Sequence, residues 1–388
     1  MCKFIKKENM KQKYLFCFLV VMCVSSFYSC KEPAEYEDVV YITGTENSSK
    51  IKLTIDGPQS IALTATCSEK INQEIDVTFK ISPELLEAYN AKMNRNYVMP
   101  PAGSYEIDKE SVLIKKGSHI SDPVKLSITS LKNFKDGESY CIPVSLVSAG
   151  GGFSVLESSK TVFVVIEKTI ITKAANFTGN DLWVEKFKTD LAVSNIPALT
   201  MECRFKINRF SWINSVLGIE ENFLMRCVDW DEDGNYNVEM GPITVGGNKL
   251  FHAAHSDLTP GKWYHVAIVC TGSKTILYID GELDSEYGGR TGGINLNEVN
   301  NFYLGTSCDA RPLNGSMSEA RIWKKALTQA EIQDNICYVD PTSEGLLAYW
   351  RLDEIQEDGS VLDVTGHGYN AKRRKGTTNL VDGVRCPF

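Results

Sequence analysis

Between Gly261 and Leu352 the chain reads GKWYHVAIVCTGSKTILYIDGELDSE, then FYLGTSCDARPLNGSMSEARIWKKALTQAEI, then GLLAYWRLD, and no other stretch narrows the fold so far. Trp263 to Cys270 and Thr275 to Ile279 are rich in β-branched and aromatic residues, which suits two short strands joined by a Gly-Ser turn. Asp280-Gly281 follows, the pair a tight hairpin favours because glycine takes positive φ at no steric cost. Thr328 and Glu331 spell a capping box opening one short helix, with Ile332 and Ile336 on its inner face. Many short strands, regular turns and a single helix describe a β-sandwich or jelly roll.

The same string resembles the LamG-type concanavalin A-like lectin/glucanase domain. Its landmarks are the W-x-H-V-A strand from Trp263, the Y-x-D-G hairpin from Tyr278, the G-x-x-x-E-x-R-I-W strand from Gly315 to Trp323, and A-L-T-x-x-E-I from Ala326. The resemblance covers residues 172–388 and implies a two-sheet jelly roll, with Trp263, Trp323 and Trp350 in its core.

The beginning of the chain is a different matter. Lys11 and Lys13 precede an apolar run from Tyr14 to Val24, too short to span a bilayer, and small and polar residues then lead to Cys30. Residues 1–29 so resemble a bacterial lipoprotein signal, in which the sulfur of the first mature cysteine carries lipid. Phe27 stands where that pattern usually has Leu; the alternative is an ordinary cleaved signal with Cys30 incidental. The leader holds five lysines against one acid, a surplus of four that takes the remaining chain from −8 to −12. An acidic body argues against nucleic acid, whose phosphates need clustered Lys and Arg. Residues 30–39, with KEPAEYED after the cysteine, form an acidic tether. The tether resembles the surface-export signal of Gram-negative anaerobes that use polysaccharides, which implies an outer-membrane lipoprotein facing the exterior.

Residues 40–168 read as a first β domain, with strand-like runs at residues 50–55, 60–67, 74–81, 124–130, 140–147 and 161–167. One helix interrupts them, with Ser82 as N-cap, Pro83 at its first position and Leu85, Tyr89 and Met93 on one face. SPELLEAYNAKMNRNYVMPPAGSYEI, then VLIKKG and YCIPVSLV, is similar to an Ig-like N-terminal domain of unknown function in surface lipoproteins of polysaccharide-utilisation systems. In that family it stands before glycan-active domains as a spacer. The expected fold is therefore all-β: an Ig-like sandwich followed by the jelly roll.

Of twelve cysteines, eight lie beyond Cys30, and no C-x-x-C pair occurs among them. Cys203, Cys227 and Cys270 alternate with polar neighbours onto the apolar faces of their strands, so buried thiols are at least as well supported as bridges, and pairing stays open.

Glucanases of this fold use an E-x-D-x-E or E-x-D-x-x-E strand, because alternation sets the acids on one face. Residues 172–388 contain no such strand. The one E-x-D-x-E, Glu106 to Glu110, lies in the first domain and reads as a solvated face. Asp229, Asp231 and Asp233 with Gly234 begin like a D-x-D-x-D-G calcium loop, but Met240 stands where the bidentate Glu belongs, so an acidic hairpin turn fits better. The LamG resemblance implies another Ca²⁺ site, structural in role, with Asn180, Asp181, Asp363 and Thr365 as candidate ligands.

Sugar recognition needs aromatic faces and a few planar polar groups in a shallow groove. Trp183, Trp212, Trp230, Tyr236, Asn237, His252, His255 and Arg311 are the candidate residues, lying near turns or polar neighbours. The function implied is a non-catalytic, lipid-anchored surface protein that binds an oligo- or polysaccharide beside the importers and hydrolases of the same system. A glycoside hydrolase of the same fold and a protein-binding adhesin or scaffold are the alternatives.

Overall fold

The structure, a computed structural model, describes residues 38–229 and 235–387. The leader, Cys30, most of the tether, Trp230 and the rest of residues 230–234, where the acidic turn was expected, lie outside the described residues. Strands assort into two bodies, each closed around its own core.

The first body is an Ig-like sandwich with a five-stranded sheet and two three-stranded sheets. In Ile75–Ile81 the residues Ile75, Val77 and Phe79 are buried while Asp76 and Lys80 face water, the alternation a half-buried strand requires. The helix departs from expectation. A 3-10 turn, Pro83–Leu85, precedes the α-helix Leu86–Met93; Leu86 and Tyr89 are buried, and Met93 is exposed. A first turn of three residues rather than 3.6 rotates the later face, so Leu86 replaces Leu85 as the inward residue. Ser82 makes no side-chain cap. Glu106, Asp108 and Glu110 are exposed, as a solvated face should be.

The second body packs two sheets face to face. The front sheet has seven strands, and the back sheet has eight. Along Phe223–Asp229, Phe223, Met225 and Cys227 enter the core, and Leu224 and Arg226 face outward. Asp280 and Gly281 both take positive φ, 51° and 80°, the conformation of a two-residue hairpin between Lys274–Ile279 and Glu282–Gly288. The capping box forms on helix Gln329–Asn335: the Glu331 backbone N–H donates to Thr328 Oγ1 at 3.2 Å, and the Thr328 N–H donates to Glu331 Oε2 at 2.7 Å. Ile332 is buried, whereas Ile336 lies past the helix end. A second, five-residue helix, Glu185–Thr189, was not expected; its Phe187 stands edge-on to Trp350 and Phe302 and closes one end of the core.

The tryptophans divide unequally. Trp350 is buried in the main core, and Trp323 is buried in a smaller one between the back sheet and the helix. Trp263 is not a core residue. Tyr264, Val266 and Ile268 take the inward positions of its strand, so alternation turns Trp263 outward, where it is half-buried. Cys203, Cys227 and Cys270 are buried free thiols, and Cys337 pairs with Cys386.

An arginine joins the bodies. Arg95 of the first donates to the Ala330 carbonyl at 2.6 Å, to Asp334 at 2.8 Å and to Gln333, all on the helix of the second. Arg385 also reaches Asp56.

Behind the back sheet lies a charge network without solvent contact. Arg321 Nη1 and Trp323 Nε1 both donate to Glu202 Oε1 at 2.9 Å, and Arg321 also donates to Glu319 at 3.1 Å and to the Asn335 carbonyl at 2.6 Å. Burial pushes the Glu202 carboxyl up, but the Arg321 guanidinium, His265 and the Trp323 N–H outweigh it and hold it down at about 2. A depressed carboxylate lends stability above its unfolded value of 4.5, and that contribution is lost as pH falls toward 2. Glu202→Gln should therefore cost about 3–5 kcal/mol at neutral pH, because it leaves Arg321 short of its charge partner. It should also flatten the acid limb of the stability curve. Urea unfolding across the acid range checks both.

Candidate functional site

Register brings together residues that the sequence scatters. Trp183 pairs with Tyr303, Tyr303 with Gly218, Gly218 with Leu224 and Leu224 with Gly241. All sit on the outer face of the front sheet, because the residues flanking each point into the core. At the end of the row a Cβ on Gly241 would lie 2.8 Å from the Phe251 ring, and at Gly218 (φ 128°) it would lie 2.2 Å from the Phe223 carbonyl oxygen. Only glycine fits either place. The result is a shallow trough with Trp183 and Tyr303 at one end and Phe251 at the other, its floor at Leu224 closed to solvent. Tyr303 to Gly241 spans three strand spacings, about 14 Å.

A polar row runs beside it. Ser215 pairs with Arg226, and Arg226 with Glu239. Arg226 donates to the Glu239 carboxylate and lies over the Phe251 ring, 4.2 Å from its centroid. Ser215 and Ser307 share a hydroxyl bond of 2.6 Å, and Ser307 donates on to Glu220. Arg311 reaches the same Glu220 at 2.5 Å. At the other end Arg374 lies over Tyr303 and donates to both oxygens of Asp181 at 2.6 and 2.7 Å, and to Asp309 at 2.7 Å. The Glu239 side chain is only 1% exposed. Burial pushes its carboxyl above the ordinary glutamate range; Arg226 and Arg311 oppose the rise, and Glu220 adds to it.

Two carboxylates therefore lie on one face, Glu239 closed to solvent and Glu220 nearly so, an arrangement a search for E-x-D-x-E could not find, since Glu220 follows one strand and Glu239 sits two strands away. Each is already bonded to an arginine. Arranged like this, the guanidiniums are held in place to donate to the hydroxyls of a ligand.

The expected glycan residues fare unequally. Trp183 stands in the trough and Arg311 at its rim. Trp212 is 78% exposed at the far end of the same sheet, and Tyr236 stacks on Phe210 there at 4.0 Å. Asn237 spends its amide on the Ser256 carbonyl and the Asp257 carboxylate. His252 stacks on Tyr287 at 3.9 Å, and burial lowers its basicity. The His255 backbone N–H donates to Asp284 at 2.7 Å. Tyr303, Phe251, Arg226, Glu220 and Glu239 were missed. The one readable signal was a charged residue between core residues in FLMRCV and in YNVEM.

The four expected calcium ligands do not fit a divalent cation. Arg374 takes both oxygens of Asp181, and Thr378 donates to Asn180 Oδ1 at 2.9 Å. Asp363 accepts from the backbone N–H groups of Tyr349, Thr365 and Tyr369, and from the Thr365 hydroxyl. Among the described residues no group of three His, Cys, Asp or Glu is placed to hold a metal.

A two-sheet jelly roll with an aromatic trough and a polar rim defines the class. Residues 36–152 match the model of an N-terminal domain family, and residues 187–333 match the concanavalin A-like lectin/glucanases superfamily. The chain is thus an N-terminal domain of that family followed by a concanavalin A-like domain. No curated protein matches it. Among solved structures it is similar to a proposed carbohydrate-binding protein from Bacteroides ovatus, at 25% identity over 89% of this chain and 97% of that one, with a TM-score of 0.54. The heptameric SAP-like pentraxin of Limulus polyphemus matches 55% of this chain and 95% of its own at 15% identity and a TM-score of 0.36. EndoBT-3987 of Bacteroides thetaiotamicron, solved with Man5GlcNAc product, matches 33% of this chain and 30% of its own at 15% identity and a TM-score of 0.30.

Glu239 binds its proton more tightly folded than unfolded. Its contribution is full below the unfolded value of 4.5 and is lost as pH rises through the folded one. Glu239→Gln, which holds its proton at every pH, should flatten the decline in stability above pH 4.5. Melting temperatures across the mildly acidic range test this, and an unchanged slope would contradict it.

Proposed function

We propose that this protein is a non-catalytic, lipid-anchored surface protein that binds an oligo- or polysaccharide on the outer face of its front sheet. The trough from Trp183 and Tyr303 to Phe251 carries the reading: flat rings suit the C–H faces of sugars, and the partly exposed Arg226, Arg311 and Arg374 beside them supply hydroxyl partners. The similarity to a proposed carbohydrate-binding protein, which extends over nearly the whole chain, supports it. The anchor would be Cys30, and the first domain would hold the trough away from the membrane, near importers and hydrolases of the same system.

Glycoside hydrolysis is the second reading, favoured by Glu220 and Glu239 sharing the face. Against it, Arg226 and Arg311 already bond these carboxylates, whereas an acid/base pair must exchange protons freely. The full chain applied to a glycan array should retain at least one oligosaccharide, and Tyr303→Ala should weaken that binding about tenfold, the loss of one stacked ring. Reducing ends released from the bound oligosaccharide, and abolished in Glu239→Gln, would replace binding by hydrolysis. An array without any hit would remove the glycan reading.

A further inference from the structure

The Trp263 that left the core opens onto a second groove, on the opposite side of the sandwich from the trough. The groove holds about 410 Å³ and is lined by Lys206, Trp263 and the stretch from Val381 to Arg385. Lys206 and Trp263 are register partners on neighbouring strands of the back sheet and form one wall. The opposite wall is the last strand, Asn379–Cys386, whose pairing with Ile170–Asn176 is irregular between Thr172 and Ala174. Between the walls run two strands whose outward side chains, Ser316 and Ser318 on one and Ala174 on the other, are small and buried. Three strand spacings separate the two wall strands, about 14 Å, enough for a pyranose ring lying flat.

The charge around this groove opposes that of the chain. The Lys206 ammonium lies 5.6 Å and the Arg204 guanidinium 5.4 Å from the centroid of the Trp263 ring. Lys206 makes no salt bridge among the described residues. Arg204 Nη2 donates to the Arg385 carbonyl at 2.9 Å, which ties the two walls together. The Arg385 guanidinium pairs with Asp56 of the first body, and Asp382 pairs with Lys173 at 3.6 Å, so the wall charges are met elsewhere and Lys206 is left facing the groove. In a protein of net charge −8, a ring flanked by cations in a sugar-sized groove selects one kind of ligand.

We infer that the groove between Trp263 and the last strand is a second saccharide site that takes a negatively charged sugar, stacked on Trp263 with its anionic group on Lys206. Either a carboxylate or a sulfate ester supplies that chemistry. The site is separate from the trough and does not depend on it.

Calorimetry on the full chain tests the inference with three probes: tetragalacturonate, a heparin-derived tetrasaccharide and uncharged maltotetraose. A charged probe should bind, and salt should weaken it. Trp263→Ala should weaken it about tenfold, the loss of one stacked ring. Trp263→Phe should restore most of the loss. Lys206→Gln, a change at a half-exposed position that leaves the fold intact, should weaken binding about fivefold and reduce its salt dependence. Tyr303→Ala should leave these affinities alone. Which charged probe binds separates carboxylate from sulfate. The inference is overturned if neither charged probe binds, if Lys206→Gln and Trp263→Ala bind as the parent does, or if Tyr303→Ala alone removes binding. In each case the proposal for the trough is judged separately by its own array.

Discussion

A buried arginine sets the terms for the second body. Arg321 has no contact with solvent, yet it links the strand Gly315–Trp323 to Glu202 on the neighbouring strand and to the Asn335 carbonyl at the end of the helix. Its guanidinium also lies 5.1 Å from the Tyr349 ring centroid, on the strand that flanks the other edge. A charge taken so far from water is tolerable only if every partner is held in place, so the network defines one arrangement of strands and helix and penalises the others. The back sheet, with its helix fixed behind it, is then a firm support on which the front sheet can curve.

That division leaves the outer face of the front sheet free for polar and aromatic side chains. Its inward residues are ordinary core, Met225, Cys227, Val238 and Met240, and fill the sandwich without polar demands. The outward residues are then free to be arginine, glutamate and aromatic rings. The glycines serve the same end: without Cβ atoms at positions 218 and 241, backbone and ring approach closely enough to leave a trough rather than a filled face.

Elements whose signal is local were legible in the sequence. Asp280-Gly281 turns where glycine geometry dictates, Thr328 and Glu331 cap the helix, and the alternation of Cys203, Cys227 and Cys270 puts thiols in the core. Features that depend on register were not. Glu220, Arg226 and Glu239 become neighbours only through strand pairing, and no spacing in one chain reports which strands lie side by side. Trp263 shows the same limit from the other side: a motif names the strand, but burial depends on what covers each face. Trp323 is covered by the helix, whereas Trp263, on the same face of the same sheet, is only half-buried beside a groove. Asp181 is a further case: the positive charge it faces comes from Arg374, far along the chain, which no local spacing reports.

The clasp formed by Arg95 has a mechanical meaning. Its guanidinium grips the helix that Arg321 in turn secures from beneath, and the Arg385–Asp56 pair adds a second link between the two bodies. A pull on the second body would pass through those two links into the first.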